Sequence, residues 1–392
     1  MRAGLVLLCA AYVLSQFYRS FLAVLTKVLE QDVGAGPEDL ANASGLWFLA
    51  FAAMQIPVGA ALDRVGPRRT AGVLLLIGGA GGAALFGMAT TPLHILLAMA
   101  LIGVGCSPVL MASYYIFARV YPAQVFATLA AVLLGVGSLG NLLGALPMAM
   151  AAEAFGWRET LFGLAAASAV VALGLLVTVQ DPERVVHDQK GSVLDLLKMP
   201  ALWLIFPLTF VQYAPAAGLR GLWIGPYLTD VFDMSATAVG NATLIMGVAM
   251  IAGTFAYGPL DRILGTRKWV ILGGNALGAA ALILLWVLPA GTPTVSIALF
   301  AAVGFFGAAY PMIMAHGRSF FPPHLVGRGV TLLNLFSIGG VGVFQVVTGR
   351  LHHAVSAGNG LPEAPYDALF GMFAVAMVAG LVLYLFCRDR VD

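Results

Sequence analysis

An all-α integral membrane protein of twelve transmembrane helices, built as two pseudo-symmetric six-helix bundles, is the fold this sequence predicts, and three observations predict it. Apolar residues make up 60% of the 392 and Asp, Glu, Lys and Arg only 10%, against about 25% charged in a soluble domain; mean hydropathy is +0.94. Apolar runs near the roughly 20 residues needed to cross hydrocarbon recur twelve times. The one long polar connection, QDPERVVHDQKGSVLDLLKMP (180–200), falls midway.

Taken in order, the spans run 3–29, 41–62, 70–90, 93–117, 124–152, 157–179, 201–229, 236–259, 269–289, 294–317, 325–350 and 366–387. The first is too long, and lacks the small-residue cleavage site, for a removable signal peptide. Only TTPLH separates the third from the fourth. The domain reading is an N-terminal bundle over 1–180, a cytoplasmic linker over 181–200 and a C-terminal bundle over 201–392. Basic residues set the orientation. With the N-terminus inside, fifteen Lys and Arg fall in inner segments, among them Arg64, Arg68, Arg69, Arg119, Arg262, Arg267, Lys268 and Arg318. Only Lys27, Arg158 and Arg350 fall outside. Both termini are therefore expected in the cytoplasm, and the chain in the cytoplasmic (inner) membrane among its lipids, as a monomer. Three scattered cysteines make neither a disulfide framework nor a zinc site. No P-loop or catalytic constellation appears, so neither an enzyme nor an ATP-driven pump is expected, and neither a cofactor nor a nucleic-acid partner.

The halves repeat one another. GAALDRVGPRR (59–69) follows the second span and GPLDRILGTRK (258–268) the eighth; SPVLMA (107–112) in the fourth corresponds to YPMIMA (310–315) in the tenth. Arg19 lies in the first span and Arg220 in the seventh, ahead of Asp63 and Asp261 respectively. Three matches in one order argue for duplicated halves. With these features the chain resembles the major facilitator superfamily over essentially its whole length. The family's loop motif stands here as Gly59, Asp63, Arg64, Gly66, Arg68 and Arg69; the second copy keeps Asp261 and Arg262 but has Gly265 one place late. The resemblance implies a rocker-switch carrier with one central site. Asp63, at a helix end, suits a latch to basic groups and to a neighbouring helix N-terminus, formed when the inner face closes; the alternative is that these arginines only enforce orientation. Drug exporters of the superfamily carry an arginine within the fourth span and a Gly-Pro motif in the fifth. Here the fourth has none before Arg119, and GSLGNLLGA (137–145) has Asn141 in the proline's place.

Every Asp and Glu falls toward a span end or in a connection. The deep ionisable residues are Arg19 and Arg220. Placing an arginine at the bilayer centre costs about 2.5–3.5 kcal/mol on insertion scales, and no carboxylate stands at that depth to offset it. The guanidinium fork suits a carboxylate or phosphate, so the missing partner is read as an anionic small-molecule substrate. Alternatively each arginine snorkels or bonds backbone carbonyls of a broken helix, for which Pro215, Gly218, Gly221 and Pro226 provide in the seventh span. The pair resembles the organophosphate:phosphate antiporters of the superfamily, and the carry-over extends to Arg19 and Arg220 only. Gln16 and Tyr18 beside Arg19, and Trp223 and Tyr227 after Arg220, complete the candidate binding set, though spans often use aromatics for packing or interfacial belts. His316 is a candidate for proton coupling or gating. Met246 and Met250, with Met312, Met314 and His316, could pass copper(I), an idea weakened by cationic arginines in the same cavity. The reading is a secondary carrier of a small organic anion, driven by a proton or a counter-anion. Drug efflux is the alternative; metal import and a transport-dead sensor stand behind it.

Overall fold

The computed structural model describes residues 2–182, 193–288, 291–322, 325–358 and 361–390. Residues 183–192 of the connection, with Arg184 and Lys190, lie outside them. Among the described residues every regular element is helical. Nine helices are long and apolar enough to cross a membrane: Pro67–Gly87, Pro92–Val120, Trp157–Thr178, Pro200–Phe232, Ala236–Tyr257, Lys268–Val287, Pro293–Arg318, Arg328–Ser356 and Ala364–Tyr384. Two more spans are bent pairs, Pro37–Ala53 with Gln55–Arg64 (40°) and Thr128–Leu143 with Leu146–Phe155 (44°). The shorter Ala3–Phe17 opens the chain, and the twelve segments match the twelve sequence spans in order.

Local chemistry explains the boundaries. Proline stands in the first turn of several spans, at Pro37, Pro67, Pro92 and Pro293, where its fixed φ suits the helix and its missing N–H leaves nothing unpaired. The hydroxyls of Ser235 and Thr292 accept from the backbone N–H of Ala238 and Val295, capping orphan donors. Where the second span bends at Met54, the Gln55 side-chain amide donates to the Phe51 carbonyl at 3.1 Å and to that of Ser107 at 3.5 Å. Such a repair is needed because hydrocarbon offers no water to a freed carbonyl.

The first span departs from the sequence expectation of one helix over 3–29. Its α-helix ends at Phe17, Tyr18–Ser20 form a turn, Phe21–Val24 are 3-10 and Thr26–Val33 resumes as α. The seventh stays one span, Pro200–Phe232, but its helix is irregular around Pro215 and the glycines. It runs through Phe206–Gln212 and Ala214–Gly218, a π-helical stretch Leu219–Trp223, and Ile224–Phe232. Arg19 and Arg220 sit in these two irregular stretches.

The chain divides into two compact units, Met1–Val186 and His187–Asp392, each with its own apolar core. Within each, the same contacts recur. In the N-terminal unit a Cβ on Gly140 of the fifth span would run into the Val13 carbonyl oxygen; in the C-terminal unit one on Gly340 would run into that of Phe210. Missing side chains thus let paired helices touch backbone to backbone. Trp157 Nε1 donates to Asp32 at 2.8 Å and the Tyr366 hydroxyl donates to Asp230. In each unit a carboxylate near the C-terminal end of the first span of six receives a ring donor from the start of the last.

Gly140→Ala and Gly340→Ala are expected to destabilise the detergent-purified protein by about 1–3 kcal/mol, because the added methyl has only backbone to displace. Gly135→Ala, whose Cβ would meet nothing within 4 Å, is expected to be neutral or slightly stabilising; thermal melts of the three variants check both.

Candidate functional site

In the N-terminal unit the break places Arg19 against the second span. Its guanidinium carbon lies 5.2 Å from the Trp47 ring centroid and 4.9 Å from that of Phe51, two rings stacked on each other one helical turn apart. Trp47 is fully buried. Cys106 of the fourth span, also buried, lies within electrostatic reach of the same guanidinium. Among the described residues the Arg19 side chain makes no hydrogen bond and no ion pair, and its Nε is shut off from solvent. A desolvated cation–π contact contributes about 2 kcal/mol, whereas each buried donor left unmatched costs about 1–3 kcal/mol. Of the Arg19 nitrogens only Nε is shut off from solvent without a partner, so the aromatic seat orients the charge and leaves that donor unmatched.

Of the residues beside Arg19 in sequence, Gln16 has its backbone carbonyl accepting from Arg19 N at 3.3 Å, and its Oε1 is buried without a partner among the described residues. Tyr18 faces elsewhere. It is fully buried, its hydroxyl within hydrogen-bond distance of Ser168 Oγ (2.9 Å) in the sixth span. Trp47, Phe51 and Cys106 escaped the sequence reading, since aromatics spaced i, i+4 in an apolar span look like packing.

In the C-terminal unit Arg220 is only 1% exposed. The break around it is held by Gln345 of the eleventh span, whose amide donates to the Gly218 carbonyl at 3.5 Å. The Trp223 indole N–H donates to Gln345 Oε1 at 3.1 Å and Thr348 Oγ1 at 3.0 Å. Tyr227 packs among Phe232, Phe300, Tyr366 and Phe370, with Ser296 Oγ at 2.9 Å from its hydroxyl. Both aromatics therefore brace the broken span within the unit.

The loop motif is built differently from the expected latch. Asp63 and Arg64 are exposed, and Asp63 has no ion-pair partner among the described residues. Arg69 is exposed too. The acid that engages the motif is Asp181, just past the sixth span. It accepts from Arg68 N at 2.8 Å and lies 3.8 Å from Arg68 Nε. Gly66, at φ +102°, has no room for a side chain, since a Cβ would lie 2.8 Å from the Asp181 carboxyl. The C-terminal unit repeats this: Asp389, just past the twelfth span, accepts from Arg267 N (3.2 Å), Lys268 N (3.0 Å) and the Thr266 hydroxyl. In each half an acid following the last helix thus caps the N-terminus of the third, where negative charge is favoured. Asp261 instead pairs with Arg267 at 3.1 Å, and Arg262 is exposed. QDP and CRD at the two bundle ends carried this signal, visible only once the halves are aligned at their last spans.

His316 is fully buried with both ring nitrogens engaged, Nδ1 with the Tyr384 hydroxyl and Nε2 with the Arg388 carbonyl at 3.1 Å. It joins the tenth span to the end of the twelfth. Met246 and Met250 fill the crossing over Gly304.

Residues 8–224 and 206–392 each match the family model described as Major Facilitator Superfamily, and the chain belongs to that superfamily. It is accordingly a multi-pass membrane transporter of the secondary type, working by alternating access. No curated protein matches. Solved structures share the fold at low identity. A bacterial homologue of the human lysosomal transporter Spinster, inward-facing and occupied, is 19% identical at TM-score 0.73, covering 98% of this chain and 94% of its own. A D-xylose–proton symporter is 16% identical at TM-score 0.75, covering 98% of each chain. A point mutant of the nucleoside transporter NupG is 16% identical at TM-score 0.76, covering 98% of this chain and 99% of its own.

Burial raises the Asp389 pKa, but the donors from Thr266, Lys268 and Arg267 outweigh it and hold the carboxyl below the ordinary carboxylate value. A depressed folded pKa gives stability that is present above the unfolded value, near 3.9, and lost as pH falls through the folded one. Asp389→Asn is therefore expected to melt lower than the parent at pH 7. In melts repeated at falling pH, the gap should begin to close below about pH 4.

Proposed function

We propose that this transporter moves a small organic anion, a carboxylate or a phosphate ester, with Arg19 and Arg220 as its charge partners. One observation supports this above the others: Arg19 sits on an aromatic seat, inside a span, with no hydrogen bond and no carboxylate among the described residues. A guanidinium so placed is completed by an anion that accepts from its fork. Arg220, in the matching break of the other unit, supplies the second charge. Every described Asp and Glu lies toward a span end or in a connection, which argues against a carboxylate proton relay at mid-depth. Drive then comes from a counter-anion, or from protons carried with the substrate or on His316. Asp63, exposed here, remains available to latch another conformation. The chain works as a monomer in the cytoplasmic membrane with both termini inside. The xylose and nucleoside transporters that share the fold are named for uncharged substrates, and at 16% identity that bears on the fold alone.

The test is uptake into proteoliposomes, screened across carboxylates, phosphate esters, sugars, nucleosides and lipophilic cations. An anion is expected to be taken up. Arg19→Lys and Arg220→Lys, checked for unchanged melting, should each slow it about tenfold, because lysine lacks the planar fork. Normal anion transport by both variants, or uptake of cations and drugs only, contradicts the reading.

A further inference from the structure

An anion alone leaves half of the Arg19 site unmatched. Buried polar atoms on the first span and its neighbours that have no hydrogen-bond partner among the described residues include Arg19 Nε, Trp47 Nε1, Gln16 Oε1 and Asn141 Oδ1. Trp47 forms the seat under the guanidinium. Gln16, in the last turn of the helix that ends at Phe17, is joined to Arg19 by a backbone hydrogen bond. Asn141 reaches the same level from the fifth span, flanked by Gly140 and Gly144. At those positions a Cβ would meet Phe17 N (2.9 Å) and Phe17 O (3.2 Å), the residue at which the helix ends.

Arg19 and Trp47 can only donate, and an anion answers both. The two amides are different. Each carries an acceptor oxygen beside donor hydrogens, and a bare carboxylate or phosphate brings no hydrogen to an amide oxygen. A hydroxyl both donates and accepts, so it matches a side-chain amide whichever way the amide is turned. Sites that hydrogen-bond a substrate hydroxyl reject analogues lacking it by orders of magnitude, because the protein's own polar groups are then stranded.

We propose that the substrate is a hydroxylated organic anion, its charge on Arg19 and Trp47 and its hydroxyls on Gln16 and Asn141. This rests on the anion reading above and narrows it: plain fatty or aromatic acids are poor ligands.

Calorimetric titration of the purified full-length protein tests it with probes matched in length. Gluconate, hexanoate and sorbitol form one set; glycerate, propionate and glycerol form the other. At least one hydroxy acid is expected to bind, tenfold or more tighter than both its deoxygenated acid and its neutral polyol. Gln16→Leu and Asn141→Leu, checked by melting, should bring the hydroxy acid toward the plain acid and leave the plain acid unchanged. Equal binding of hydroxylated and plain acids overturns the hydroxyl assignment while leaving the anion reading standing. Polyols that bind as tightly as the hydroxy acids, with Arg19→Lys indifferent, overturn both. Absence of binding by either hydroxy acid also overturns the inference.

Discussion

Hydrocarbon offers a polar group nothing, and that constraint decides where charge stands in this chain. Carboxylates are kept toward span ends, where four of them serve the fold: Asp32 and Asp230 receive ring donors, and Asp181 and Asp389 cap helix N-termini. Where the second span bends and the seventh turns π-helical, a side-chain amide donates to a backbone carbonyl, Gln55 to Phe51 and Gln345 to Gly218. Arg19 is the departure. It keeps a full charge at a break and is given aromatic faces, which orient a cation and leave its N–H edge to whatever enters.

Duplication explains the economy of the design. One set of contacts recurs in both bundles: a glycine pressed to a carbonyl, a carboxylate at the end of the first span under a ring donor, and a carboxylate after the last span on a helix end. The copies diverge where chemistry is wanted. Trp47 and Phe51 seat Arg19, whereas Met246 and Met250, at the same i, i+4 spacing in the eighth span, fill the crossing over Gly304. Arg220 is deeply buried in its π-helical stretch, while Arg19 keeps partial exposure. The two arginines match in sequence position and differ in surroundings.

How much of this could be read beforehand depended on how local the signal was. Hydropathy marks a span within itself, so all twelve were legible. The broken seventh span announced itself through Pro215, Gly218 and Gly221. The break in the first did not, because LSQFYRSFLAVL (14–25) holds neither proline nor glycine and the interruption coincides with the arginine. Arg19 and Arg220 stand out in the sequence by the cost of a charge inside a span, and Gln16 by its spacing from Arg19. Trp47 and Phe51 reach Arg19 from another helix, and no periodicity reports a contact between helices. Tyr18, Trp223 and Tyr227 show the converse. They stand beside the arginines in sequence, yet their polar atoms are spent on Ser168, on Gln345 and Thr348, and on Ser296.

The central claim is that Arg19 is completed by an anion. Solid-state NMR on the reconstituted protein reads this contact directly, with arginine labelled in 15N at the guanidinium and gluconate labelled in 13C at the carboxylate. The account predicts dipolar dephasing corresponding to about 4 Å, the nitrogen-to-carbon separation of a paired guanidinium and carboxylate, with the Arg19 component lost in Arg19→Lys. Dephasing unchanged by that substitution, or none with gluconate bound, would contradict it.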